Sequence, residues 1–110
     1  MDDILILYTT WPDGDTAEQA ARAVIGEGLA ACANVLTPSL SIFPWEGEVR
    51  RAAETVMILK TARRTALALR DRIVELHPYD IPAVVALPVV GEASSSAFVW
   101  WVCTSTEGLR

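Results

Sequence analysis

The side chains able to do chemistry fall into two groups. The first is the run Leu76-His77-Pro78-Tyr79-Asp80-Ile81-Pro82, which sets the chain's only histidine beside a phenol. Neutral imidazole is the commonest metal donor and a frequent general acid or base, so His77 is the candidate metal ligand. A tight transition-metal site takes three or four donors, and one histidine does not complete it. The competing role for His77 is structural, at a helix C-terminus, satisfying a carbonyl and the helix dipole. A catalytic reading would use His77 as acid or base with Tyr79 and Asp80 nearby, and it lacks a nucleophile. The second group is Trp45, Glu54, Lys60 and Tyr79. Glu54 and Lys60 are six apart, so on a strand they share a face. An indole, a carboxylate, an ammonium and a phenol suit a pocket for a small anion or metabolite. They equally suit an ion pair and aromatic anchors that fix a subunit interface.

Cys32 and Cys103 are too few for a disulfide framework. Cys32 has no basic neighbour in sequence and reads as a buried, inert thiol rather than a nucleophile or soft ligand; Cys103 reads the same way. Trp100 and Trp101 point about 100° apart on a helix, one onto the sheet and the other outward. The chain has no glycine-rich phosphate loop, no Cys/His cluster at zinc spacing, no nucleophile elbow and no aromatic motif of the RNA-binding kind.

The chain has 110 residues, 52% of them hydrophobic, and a net charge of -5. That length fits one domain, residues 1–110. So apolar a small domain suggests that another subunit covers part of its surface. The negative charge argues against a nucleic-acid partner. No run reaches about 18 apolar residues, so no membrane span is expected. The acidic start, Met1-Asp2-Asp3, is unlike a secretory signal, and the expected location is cytoplasmic.

The elements that must position these residues follow from periodicity and punctuation. Ile4–Thr10 reads as a buried strand ended by Pro12 and Gly14. Asp15, with Glu18 three residues on, is the expected helix cap. Ala17, Ala20, Ala21, Val24 and Ile25 form one helical face, and Gly26 and Gly28 supply the stop. A second strand runs from Ala31 to Leu36 and on through Phe43 after a bend at Pro38. The turn Trp45-Glu46-Gly47-Glu48 joins it to a third, Thr55–Leu59, as a long hairpin whose tip projects. Ala66, Leu69, Ile73 and Leu76 mark a second helix, which Pro78 ends. Val84–Leu87 is apolar throughout, the pattern of a strand buried on both faces. Ser94-Ser95-Ser96 caps a last helix through Cys103. The order β-α-β-β-α-β plus a terminal helix predicts an α+β, ferredoxin-like sandwich.

Four stretches in this order resemble one family: Leu29-Ala30-Ala31-Cys32-Ala33-Asn34-Val35, Trp45-Glu46-Gly47, Glu54 with Met57-Ile58-Leu59-Lys60-Thr61, and His77-Pro78-Tyr79-Asp80-Ile81-Pro82. They are similar to the successive motifs of the CutA divalent-cation tolerance proteins, over nearly the whole chain. The resemblance implies a cytoplasmic, non-enzymatic homotrimer similar in shape to PII signalling proteins, with the hairpin reaching onto neighbouring subunits and a link to copper and other divalent metals. Proposed copper donors in the family fall here on Tyr8, Leu76 and His77, leaving His77 alone as a metal donor. No cofactor is thus called for, and any metal, copper or another divalent cation, would be held weakly or between subunits around the trimer axis. The alternative the resemblance implies is a PII-like sensor or adaptor that binds a small anion at subunit junctions through Trp45, Glu54, Lys60 and Tyr79.

Overall fold

The computed structural model describes residues 3–107. Four strands form one antiparallel sheet, with β1 Ile4–Trp11, β2 Cys32–Trp45, β3 Glu48–Ala62 and β4 Val84–Pro88 in the spatial order β2-β3-β1-β4. Three α-helices connect or follow them: α1 Gly14–Gly26, α2 Ala66–Leu76 and α3 Ser96–Ser105. This is the ferredoxin-like order expected from the sequence, with the third helix appended.

Opposed residues in an antiparallel sheet share a face, so the register sorts every strand residue. One face carries the rows Ala33-Leu59-Leu7-Ala86 and Val35-Met57-Thr9-Val84, with Trp11 opposite Thr55. Helices α1 and α2 cover it. Ala17, Ala20, Ala21 and Val24 of α1 and Leu69 and Ile73 of α2 enclose Leu7, Trp11, Met57 and Leu59 in the main core. The alanines of α1 let the helix lie close to the sheet. The buried polar groups on this face are satisfied. Thr9 Oγ1 donates to the Met57 carbonyl at 2.8 Å and accepts from Trp11 Nε1 at 2.7 Å.

The other face carries the rows Cys32-Lys60-Ile6-Leu87 and Asn34-Ile58-Tyr8-Val85. Among the described residues no helix lies across its middle. At its end α3 packs Val99 and Val102 on Ile4 and Ala31 in a second, smaller core.

The local signals explain most boundaries, with three corrections. The α1 cap is Asp13, not Asp15. Asp13 is extended and accepts the Thr16 N–H at 2.8 Å, while Asp15 sits in the first turn, where its charge faces the helix dipole. The helix ends in a Schellman motif. Leu29 N–H reaches the Val24 carbonyl, Gly28 N–H reaches that of Ile25, and Gly28 takes φ 76° between them. Second, β3 begins at Glu48, not Thr55, because the hairpin stays paired to its tip. There Glu46 and Gly47 both have positive φ, as a two-residue turn of the favoured hand requires. One extra residue of β2 around Thr37-Pro38 bulges between the Leu36 and Ser39 pairs, which is the bend expected at Pro38. Third, β4 is not buried on both faces within the chain. It is an edge strand, and Val85 and Leu87 remain 53% and 46% exposed.

Candidate functional site

The run after α2 is organised around His77. Leu76 is the last helical residue, and His77 turns extended because Pro78 follows. The ring is buried, 8% exposed. It stacks on Trp11 at 4.1 Å between centroids and 28° between planes, with the Tyr79 ring tilted against it at 4.8 Å. Nε2 lies 2.7 Å from the Thr10 carbonyl oxygen, which only accepts, so this nitrogen carries the proton. Nδ1 accepts the Tyr79 N–H at 3.1 Å. His77 is therefore held as a neutral imidazole with both nitrogens used on backbone. It does satisfy a carbonyl, but that of Thr10 on β1 rather than one of its own helix.

Tyr79 carries the arrangement outward. Its hydroxyl donates to Glu54 Oε2 at 2.9 Å on the hairpin. Partial burial pushes the phenol up to about 12, helped by the Glu54 bond and charge and then by Asp13. The segment 77–79 thus ties the end of α2 to β1 and to the middle of β3.

Of the four residues expected to line one pocket, the protomer brings together only Glu54 and Tyr79. Lys60 lies six residues from Glu54 on the uninterrupted strand β3, about 20 Å away at strand rise. Its ammonium donates to Asn34 Oδ1 and lies 5.9 Å from the centre of the Phe98 ring. Trp45 is at the hairpin tip, 56% exposed. The cysteines are half-buried rather than buried. Burial raises the Cys32 thiol against the lowering pull of the Lys60 ammonium, which leaves a neutral thiol. Sequence reasoning missed Trp11, Thr10 and Asn34. Trp11 and Thr10 are more than sixty residues from His77, and Asn34 meets Lys60 only through strand pairing.

A metal centre does not fit the residues present in one chain. The lone histidine has no free nitrogen, Leu76 packs against the core, and Tyr8 stands on the open sheet face. Among the described residues no group of three or more His, Cys, Asp or Glu side chains converges.

Comparison with known proteins adds the ancestry. The family model described as CutA1 divalent ion tolerance protein matches residues 5–105. The chain belongs to this family. The divalent-cation tolerance protein CutA of Pyrococcus horikoshii is 36% identical over 104 residues, which cover 94% of this chain and 99% of that one. Human protein CutA is 35% identical over 93% of this chain, and the match spans 56% of the human protein's length. The chloroplastic Arabidopsis relative is likewise matched over 56% of its length. The crystal structure of the divalent ion tolerance protein CutA1 from Ehrlichia chaffeensis superimposes with a TM-score of 0.91 at 31% identity, covering 96% of this chain and 97% of that one. CutA1 from Oryza sativa gives the same TM-score at 33% identity, covering 96% and 95%. Family membership and fold therefore agree over nearly the whole described chain. Among the described residues no helix is long and apolar enough to cross a membrane.

Proposed function

We propose that this protein is a CutA-type divalent-cation tolerance protein that works as a cytoplasmic, non-enzymatic homotrimer. The observation that carries the assembly is the uncovered sheet face. Tyr8, Leu36, Val85 and Leu87 present apolar surface there, and β2 and β4 leave two unpaired edges. An apolar face bounded by open edges favours a partner of the same kind, since pairing removes the edges and burial removes the patch. The only imidazole is committed to backbone, which supports a role in the response to copper and other divalent ions that does not depend on a tight site within one chain. Two thiols that form no disulfide suit a reducing compartment.

Light scattering coupled to size exclusion tests the assembly. The wild type is expected at three times the chain mass, and Leu87→Asp, which sets a charge on the open face, at one. A stable wild-type monomer at micromolar concentration overturns the reading. Calorimetric titration with copper and zinc tests the metal side. Heats no tighter than millimolar, unchanged in His77→Ala, are expected; micromolar binding lost in that variant would restore His77 as a ligand.

A further inference from the structure

A cleft lies on the helix side of the sheet, opposite the uncovered face. It opens between α2 and the edge strand β4, with Leu5 and Leu7 of β1 as its floor. Val84 and Ala86 wall it from β4, and their register with Thr9 and Leu7 puts them on the helix face. Ala66 and Leu67 wall it from α2. Protein interiors are close-packed, and a space of this kind is ordinarily filled by a larger side chain. Here an alanine stands on each wall, and a volume of about 370 Å³ is left, within the range of small-molecule sites.

The charged residues lining the cleft are both arginines, in a chain whose net charge is -5. Arg63 and Arg70 mark its two ends, about 10 Å apart at helical rise. Their guanidinium groups differ in what holds them. Arg63 Nε meets Asp3 Oδ2 at 3.4 Å, long for a hydrogen bond, and both side chains stand largely in water. Such a pair contributes little and gives way to a better acceptor. Arg63 also keeps its Nη groups to donate. Arg70 Nε and Nη2 both turn to Asp71 Oδ1 at 2.9 Å, so at that end the cleft is offered an aliphatic stem. The rest of the lining is aliphatic, without an aromatic ring.

We propose that this cleft binds a medium-chain fatty carboxylate. The head pairs with Arg63, whose planar fork takes both carboxylate oxygens at once. The unbranched tail runs over Leu5 and Leu7 toward the Arg70 stem and is held by burial of apolar surface. An aliphatic lining suits an alkyl chain, and one available guanidinium suits a monoanion. The site is separate from His77 and from the Glu54–Tyr79 pair, and it does not rest on the proposed trimer. Every residue that lines it comes from one chain, on the face opposite the one a second copy would cover.

Calorimetric titration with hexanoate, octanoate and decanoate, each below micelle formation, tests both parts of the site. One saturable site per chain is expected, tightening roughly fourfold for each added methylene. Octanol, which has the tail without the charge, should bind roughly tenfold or more weakly than octanoate, the size of a lost hydrogen bond to a charged group. Arg63→Gln should weaken octanoate by the same factor and leave octanol unchanged. Ala66→Leu fills the cleft at a helical position that takes leucine readily, and should abolish binding of both. A melting temperature no lower than the wild type's shows that this variant folds. The titration uses the protein in whatever assembly it forms, so a neighbour's side chains seated in the cleft would register as absence of binding. No saturable site, octanol as tight as octanoate, or octanoate undiminished in either variant overturns the proposal.

Discussion

Leu7, Met57 and Leu59 are fully enclosed under the helices, while Tyr8, Ile58 and Lys60, the next residue along in each case, point to the other side of the same sheet. Both faces are built largely from aliphatic residues, so neither strand shows the apolar-polar alternation of a sheet wet on one side. That pattern calls for two coverings, and the chain folds to supply one of them. The helix face is finished, with Thr9 and the Trp11 indole paired inside it. The open face is finished only at its end, by α3, whose Phe98 ring lies 5.9 Å from the Lys60 ammonium.

The largest expected contrast between the faces comes from truncating each in turn. Trp11→Ala removes a fully buried indole, its bond to Thr9 and its stack on His77, and should cost about 3–5 kcal/mol in denaturant unfolding. On the proposed trimer, Val85→Ala should cost an amount that grows with protein concentration, because burial there would come from another copy. A concentration-independent loss at Val85 as large as that at Trp11 would erase the distinction between the faces. A smaller effect is expected at the seam that closes the helix face. His77→Ala leaves the Thr10 carbonyl and the Tyr79 N–H without their partner and should cost about 1–3 kcal/mol by the same measurement. No loss would mean that water replaces the ring and that the seam is open.

The smallest effect is a titration. In Tyr8→Phe protein the remaining phenol, Tyr79, should ionise near 12 by ultraviolet absorbance, above the ordinary 10.0, and Glu54→Gln should bring it down. A raised phenol pKa stabilises the folded state fully below pH 10. That contribution is lost as pH climbs from there through 12. A midpoint that ignores Glu54→Gln would show that the Tyr79–Glu54 bond does not persist in solution.

What the sequence disclosed follows the range of the interactions involved. The α1 face, the Gly28 stop, the Pro78 stop and the serine cap of α3 are local, and each is where its residues placed it. The α1 start was misread by two residues because Asp13 and Asp15 both offer a carboxylate, and only the extended backbone at Asp13 turns one onto the Thr16 N–H. The first half of β3, Glu48–Glu54, was invisible because an exposed hairpin arm has no buried face to impose a period. The site suffered more. That Glu54 and Lys60 share a face was legible; that strand rise separates them was a matter of distance, and Glu54 instead meets Tyr79 from across the fold. His77 was legible as a helix stop, but the carbonyl it serves lies on the first strand.

The sheet order β2-β3-β1-β4 carries a consequence for assembly errors. Its two free edges belong to different strands, so if the β2 edge of one copy joins the β4 edge of the next, the join is head-to-tail and leaves the same two edges at the ends of the pair. Such a contact closes into a ring only when the rotation per copy divides a full turn; otherwise it propagates as a filament. A bulge bends the strand that carries it, and β2 has one at Thr37-Pro38, where the hairpin arm begins. A substitution that straightens it therefore shifts the balance between a closed ring and an open fibre without touching the core of any one chain.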